Sequence, residues 1–140
     1  MKIYFSHPTF TYRTKTEKEC IAIIEEYLEA DEVINPADFG LKHDVRKNIL
    51  EADAVVGMAV SEKFTFLVWN EMDVGKKDDE KMYTMMVESQ RDIGPLVEGV
   101  PDNIKKLSKS ESKAFNHEMM KGTQTSMFPS LSIFKGSKRF

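Results

Sequence analysis

Apolar positions along the 140-residue chain switch repeatedly between a strand-like and a helix-like rhythm. Lys2 to Ser6 is rich in β-branched and aromatic residues and is stopped by Pro8, which predicts a strand. Thr14 or Thr16 then caps a helix with an acidic first turn, whose inward stripe reads Ile21, Ile24, Tyr27 and Leu28. Glu32 to Asn35 predicts a second strand, ended by Pro36. Asp44 caps a short helix running to about Glu51, with Val45, Ile49 and Leu50 facing inward. Asp53 to Val60 is apolar at almost every position, the pattern of a parallel strand covered on both faces.

A helix over Leu67 to Lys76 and a strand at Met82 to Val87 continue the alternation. The rhythm then weakens. Pro95 and Pro101 are read as bracketing a loop, a short helix starts at Asp102, Lys105 to Lys113 is a polar stretch, and Leu131 to Phe134 is a last strand. Strand and helix in alternation predict an α/β fold: a Rossmann-like or flavodoxin-like, doubly wound, mostly parallel sheet of about five strands. Residues 1–140 form a single domain in this reading, with no internal repeat.

Composition narrows the function classes. A net charge of -3, with no cluster of Lys and Arg interleaved with aromatics, argues against a nucleic-acid polymer as partner. No apolar stretch approaches the roughly 20 residues that span a bilayer, so the expectation is a cytoplasmic protein with no membrane association. His7, His43 and His117 fall in no metal-ligand spacing, and neither a dinucleotide-binding Gly-x-Gly-x-x-Gly nor a P-loop is present. No metal and no organic cofactor are therefore expected. Cys20 sits beside Ile21 and Ile24 and reads as a small buried residue. The methionines Met82, Met85, Met86, Met119 and Met120 read as adaptable core or subunit contact.

In open parallel sheets ligands bind outside the carboxyl ends of the strands. Three stretches emerge there: 6–14, 37–44 and 61–71. They carry the carboxylates Asp44 and Glu71, several hydroxyls and Arg13, with Tyr4 close behind on the first strand. Such a set suits a sugar. Glu71 is the focus, because a carboxylate half desolvated at the mouth of a sheet becomes a useful nucleophile or acid, though the solvent-facing residue of a helix is the competing reading. Asp44 is equally a helix cap, and Asp53 reads as a fastener of the strand entrance.

Several of these segments, in order, resemble the nucleoside 2-deoxyribosyltransferases and the related deoxynucleoside 5′-monophosphate N-glycosidases. Ile3-Tyr4-Phe5 followed by Phe10-Thr11-Tyr12-Arg13 is similar to the opening of that family. Asp44, a short helix and Ala52-Asp53-Ala54-Val55-Val56 resemble its next segment. Glu71 falls where the family places its catalytic glutamate, and Gly99-Val100-Pro101-Asp102-Asn103-Ile104 and Ile133-Phe134-Lys135-Gly136 resemble its C-terminal motifs.

The resemblance implies cleavage or transfer of the N-glycosidic bond of a 2′-deoxynucleoside or its 5′-monophosphate through a deoxyribosyl-Glu71 intermediate. Asp44 would protonate the leaving base and Tyr4 would orient Glu71. Ser6, His7, Phe10, Arg13, Thr65 and Trp69 would contact the substrate, and a homo-oligomer is expected. The chain departs from the family at the glycines that usually surround the glutamate, carrying Val68, Trp69 and Asp73 instead. Thr65 stands where the transferases carry aspartate and the monophosphate hydrolases serine. Bulky residues beside Glu71 keep an alternative in view, a nucleotide- or nucleotide-sugar-binding protein that retains the fold without the chemistry.

Overall fold

The computed structural model describes residues 1–40 and 44–121. Thirteen short elements follow one another among the described residues, and the regular ones are β1 (Lys2–Ser6), α1 (Lys15–Leu28), β2 (Glu32–Ile34), α2 (Val45–Glu51), β3 (Ala54–Val60), β4 (Lys63–Phe64), α3 (Phe66–Lys77), β5 (Lys81–Ser89), β6 (Asp92–Glu98), β7 (Lys105–Lys106) and α4 (Lys109–Met120). Single 3-10 turns cover Thr9–Thr11 and Pro36–Asp38. The result is an α/β protein with a mostly parallel, mixed seven-stranded sheet and four α-helices, compatible with a single Rossmann-like domain.

Strands β2, β1, β3 and β5 lie side by side and parallel, and β6 closes that edge antiparallel to β5. β3 is the hub: all seven of its residues are buried, which is why its sequence shows no alternation. Odd and even positions feed different cores. Ile3, Phe5, Val56 and Met58 pack with Cys20 and Ile24 of α1 and with Phe115 and Met119 of α4. Tyr4, Val55 and Ala59 pack with Ile49 of α2 and with Val68 and Met72 of α3. Helices thus cover both faces. The chain leaves β1 for β2 on one side and returns to β3 on the other, so the strand order reverses at β1, where such sheets open a crevice.

Local chemistry explains the ends of the elements. Thr14 caps α1 by accepting a hydrogen bond from Glu17 N, and Asp44 caps α2 by accepting one from Lys47 N. Asp53 fastens the entrance of β3 to β1, its carboxylate accepting from Lys2 N at 2.7 Å. Cys20 is fully buried, and burial pushes its thiol up to about 12.

Several expectations need correction. Tyr27 is 73% exposed and Leu50 39% exposed; Leu50 lies about 100° of helix rotation from the buried Ile49, whereas Tyr27 is on the side of Cys20 and Ile24 but in the last turn of α1. Pro95 is not in a loop but in β6, an edge strand with register shifts between Met85 and Val87, where a missing N–H is tolerated. No helix starts at Asp102; β7 follows instead, and much of the polar stretch forms α4, opened by a capping box between Ser108 and Glu111. The expected strand over 131–134 and His43 lie outside the described residues. Among those described, no helix is long and apolar enough to cross a membrane.

Candidate functional site

Glu71 lies in the second turn of α3, on the flank of the helix that faces the carboxyl end of β1, and is 5% exposed. Two hydroxyls on β1 reach it. The Ser6 hydroxyl donates to Oε1 at 2.6 Å, and the Tyr4 hydroxyl donates to Oε2 at 3.1 Å. Tyr4 and Ser6 are two residues apart on a strand and so point to the same face, towards α3. Burial pushes the Glu71 carboxyl above its ordinary value, and the two donated hydrogen bonds hold it back. Tyr4 is raised as well, first by burial and then by the Glu71 charge.

In front of Glu71 opens a cleft of about 470 Å³, lined by Thr9, Tyr12, Arg13, Pro36, Ala37, Gly40, Val45 and Leu67. Its walls are the segments that follow β1 and β2 and the first turns of α2 and α3. Arg13 is the one cation among the described lining residues, and its guanidinium donates to Ala37 O at 3.4 Å. The Tyr12 phenol is pushed up by burial and by the Glu71 charge. Tyr12 stands within the Phe10-Thr11-Tyr12-Arg13 segment with no role visible in the sequence; nothing in the spacing of one aromatic distinguishes a cleft wall from packing.

His7 is fully buried beneath the cleft and does not line it. Its Nδ1 lies 2.8 Å from Thr11 Oγ1 and its Nε2 2.9 Å from Asn35 Oδ1. Asn35 Oδ1 also accepts from Ala37 N, so the Nε2–H of His7 is the donor to it. Burial lowers the imidazole to about 4, leaving it neutral at pH 7. The ring therefore joins the β1–α1 segment to the β2–α2 segment, two walls of the cleft, rather than touching a ligand. Glu17 Oε2, 3.5 Å from Nε2, belongs to a carboxyl that burial raises.

The remaining expected site residues scatter. Phe10 is 4% exposed and meets Phe115 of α4 edge-on at 5.6 Å; it is core. Asp44 is exposed and caps α2 beside the cleft-lining Val45. Thr65 is 2% exposed at the start of α3, its hydroxyl without a hydrogen-bond partner among the described residues, while Ser112 of α4 accepts from the neighbouring Phe66 N at 2.7 Å. Trp69 is on the other flank of α3 from Glu71, its indole N–H donating to Leu107 O at 2.7 Å. No protein-family model, curated protein or solved structure matches the chain.

Among the described residues no group of histidine, cysteine, aspartate and glutamate side chains is arranged to hold a metal ion. What the site offers is a desolvated carboxylate with two fixed hydroxyl donors, a neutral phenol and one guanidinium around an open cleft. That set can stabilise and bond to a developing cation next to an oxygen, while the guanidinium takes an anionic group.

Proposed function

We propose that the protein cleaves, or transfers, the N-glycosidic bond of a 2′-deoxynucleoside or its 5′-monophosphate through a covalent deoxyribosyl-Glu71 intermediate. The observation that carries this reading is the buried Glu71 carboxylate gripped by Tyr4 and Ser6 at the mouth of a cleft. A glycosidic carbon leaves its base through an oxocarbenium-like state, which a carboxylate first stabilises and then bonds. One oxygen of Glu71 forms the bond to C1′ as the C1′–N bond breaks, and the electron pair departs with the base. The base takes a proton, for which Asp44 at the rim is the candidate acid. Water or a second base then attacks C1′ and returns Glu71 to its carboxylate form.

The two hydroxyls favour the ionised form of a nucleophile whose carboxyl burial pushes up. Arg13 favours a substrate with an anionic group, such as the 5′-phosphate. The flavodoxin-like, doubly wound description, a cytoplasmic location and a homo-oligomer belong to the same reading.

The second reading, a nucleotide- or nucleotide-sugar-binding protein without chemistry, draws on one observation: Glu71 is only 5% exposed and both its oxygens are engaged internally. Base release from a panel of deoxynucleosides and their 5′-monophosphates, measured by chromatography with and without a free acceptor base, separates the two. Release that is lost in Glu71→Gln supports the enzyme. Nucleotide binding with no release, unchanged in that variant, overturns it in favour of the binding protein.

A further inference from the structure

On the flank of α3 away from Glu71 lies a second cavity of about 320 Å³, between α3, the start of β5, the end of β6 and β7. Helix geometry separates the two: Leu67 and Glu71 face the first cleft, whereas Trp69, Met72 and Lys76 face this one. Phe64, Trp69, Met72 and Met82 contribute an aromatic and thioether lining that adapts to flat ligands. The volume is at the small end of the range of about 300–1,000 Å³ for small-molecule sites. A compact aromatic molecule matches that volume.

The charges around it are unbalanced in a particular way. Neighbouring lysines are paired: Lys77 with Asp73 at 3.2 Å, Lys81 with Glu98 at 3.6 Å and Lys105 with Glu111 at 3.5 Å. The cavity's own Lys76 and Lys106 have no carboxylate partner among the described residues, and the carboxylate in its lining, Asp73, is the one engaged by Lys77. Lys106 Nζ stands over the Trp69 ring, 5.9 Å from its centre, which sets a cation beside the aromatic wall. We infer that this cavity binds a small, flat, apolar aromatic molecule carrying one negative charge, its rings against Trp69, Met72 and Met82 and its anionic group between Lys76 and Lys106. The inference stands apart from the chemistry proposed for Glu71.

Trp69 is the single tryptophan of the chain, so the site carries its own reporter. The probe is 8-anilinonaphthalene-1-sulfonate, an aromatic monoanion that accepts excitation energy from tryptophan. Its neutral counterpart, N-phenyl-1-naphthylamine, lacks only the sulfonate. The expected result is saturable sensitised emission on exciting Trp69, with the neutral probe binding about tenfold more weakly. The exposed double variant Lys76→Met/Lys106→Met loses about tenfold in affinity for the anion, while Arg13→Met in the other cleft leaves it unchanged. Equal binding of the two probes overturns the proposal, as does an effect of Arg13→Met in place of the lysine pair. Protection of Trp69 from iodide quenching in a self-associated form also overturns it, since a second copy of the chain would then be the occupant.

Discussion

Replacing Glu71 by glutamine gives a stability difference whose dependence on pH reports directly on the buried carboxylate. At 5% exposure the ionised form has lost most of its water, and the Tyr4 and Ser6 hydroxyls return two hydrogen bonds. Burial is the larger effect, so folding raises this carboxyl above its ordinary 4.5. Folding is then favoured while the carboxyl is protonated. That advantage is full below about 4.5 and is lost as pH rises through the raised value. Glutamine cannot ionise and escapes the loss. The stability of Glu71→Gln relative to wild type should therefore climb with pH above 4.5, by at most about 1.4 kcal/mol per pH unit, and flatten once wild-type Glu71 is fully ionised. The swap leaves two acceptor–donor pairs to be remade with the hydroxyls, a contribution of order 1 kcal/mol that is independent of pH. Glu80, pushed up to about 7 by burial and Asp78, shifts both proteins alike and cancels in the difference. Urea unfolding of both proteins at intervals from pH 4 to 8.5 measures it. A difference that stays flat across that range, or falls, refutes the desolvated carboxylate and with it the basis for Glu71 as a tuned group.

Tyr4→Phe removes a donor that lowers the Glu71 carboxyl, so the acid limb of the base-release rate against pH should move to higher pH; an unmoved limb counts against the role given to Tyr4. Gly57→Ala puts a methyl 2.6 Å from Met72 Sδ, and because that side chain is flexible the loss should be about 1–3 kcal/mol in urea unfolding; an unchanged midpoint would mean that α3 is not pressed against β3. Ser108→Ala breaks the capping box of α4 and should cost about 1 kcal/mol, with no effect on the pH dependence ascribed to Glu71. The Cys20 thiol, fully buried and raised to about 12, should be inert to a disulfide reagent in native protein and react at once in urea; rapid native reaction would contradict the packing of α1 on the sheet.

The parallel half of the sheet was legible because its signals are redundant. β3 combines an apolar run of strand length with flanking helices at helical period, and caps at Thr14 and Asp44 mark where those helices begin. The antiparallel additions carry no such redundancy. The β3–β4 turn uses Ser61 and Glu62 at φ of 50° and 60°, a conformation that Asn-Gly would have announced and these residues do not. β6 hides behind Gly94-Pro95, which reads as a breaker although an edge strand accommodates it at a register shift. α4 was readable in principle, since Ser108 and Glu111 stand at capping-box spacing. Its few apolar residues, among them Phe115 and Met119, are too sparse for a stripe.

The site divides along the same physical line. Tyr4, Ser6 and Glu71 converge because strand alternation and helix position, both visible in sequence, bring them to one face. Crowding by Val68 and Trp69 was inferred from linear neighbourhood, and a helix breaks that inference: successive residues turn about 100° apart. Val68 enters the core, Trp69 turns to the opposite cavity, and Leu67, four residues before Glu71, is the neighbour that shares its cleft. Two glycines set how closely α3 seats on β3: Gly75, one turn after Glu71 on the helix, where a Cβ would meet Val55 Cγ2 at 2.8 Å, and Gly57 across from it on the strand. Gly57 is the register partner of Ser6, and its missing side chain is what admits Met72 so close to the strand. Because Met72 adjoins Glu71, the depth at which α3 seats against β3 sets whether the carboxylate reaches the two hydroxyls of β1.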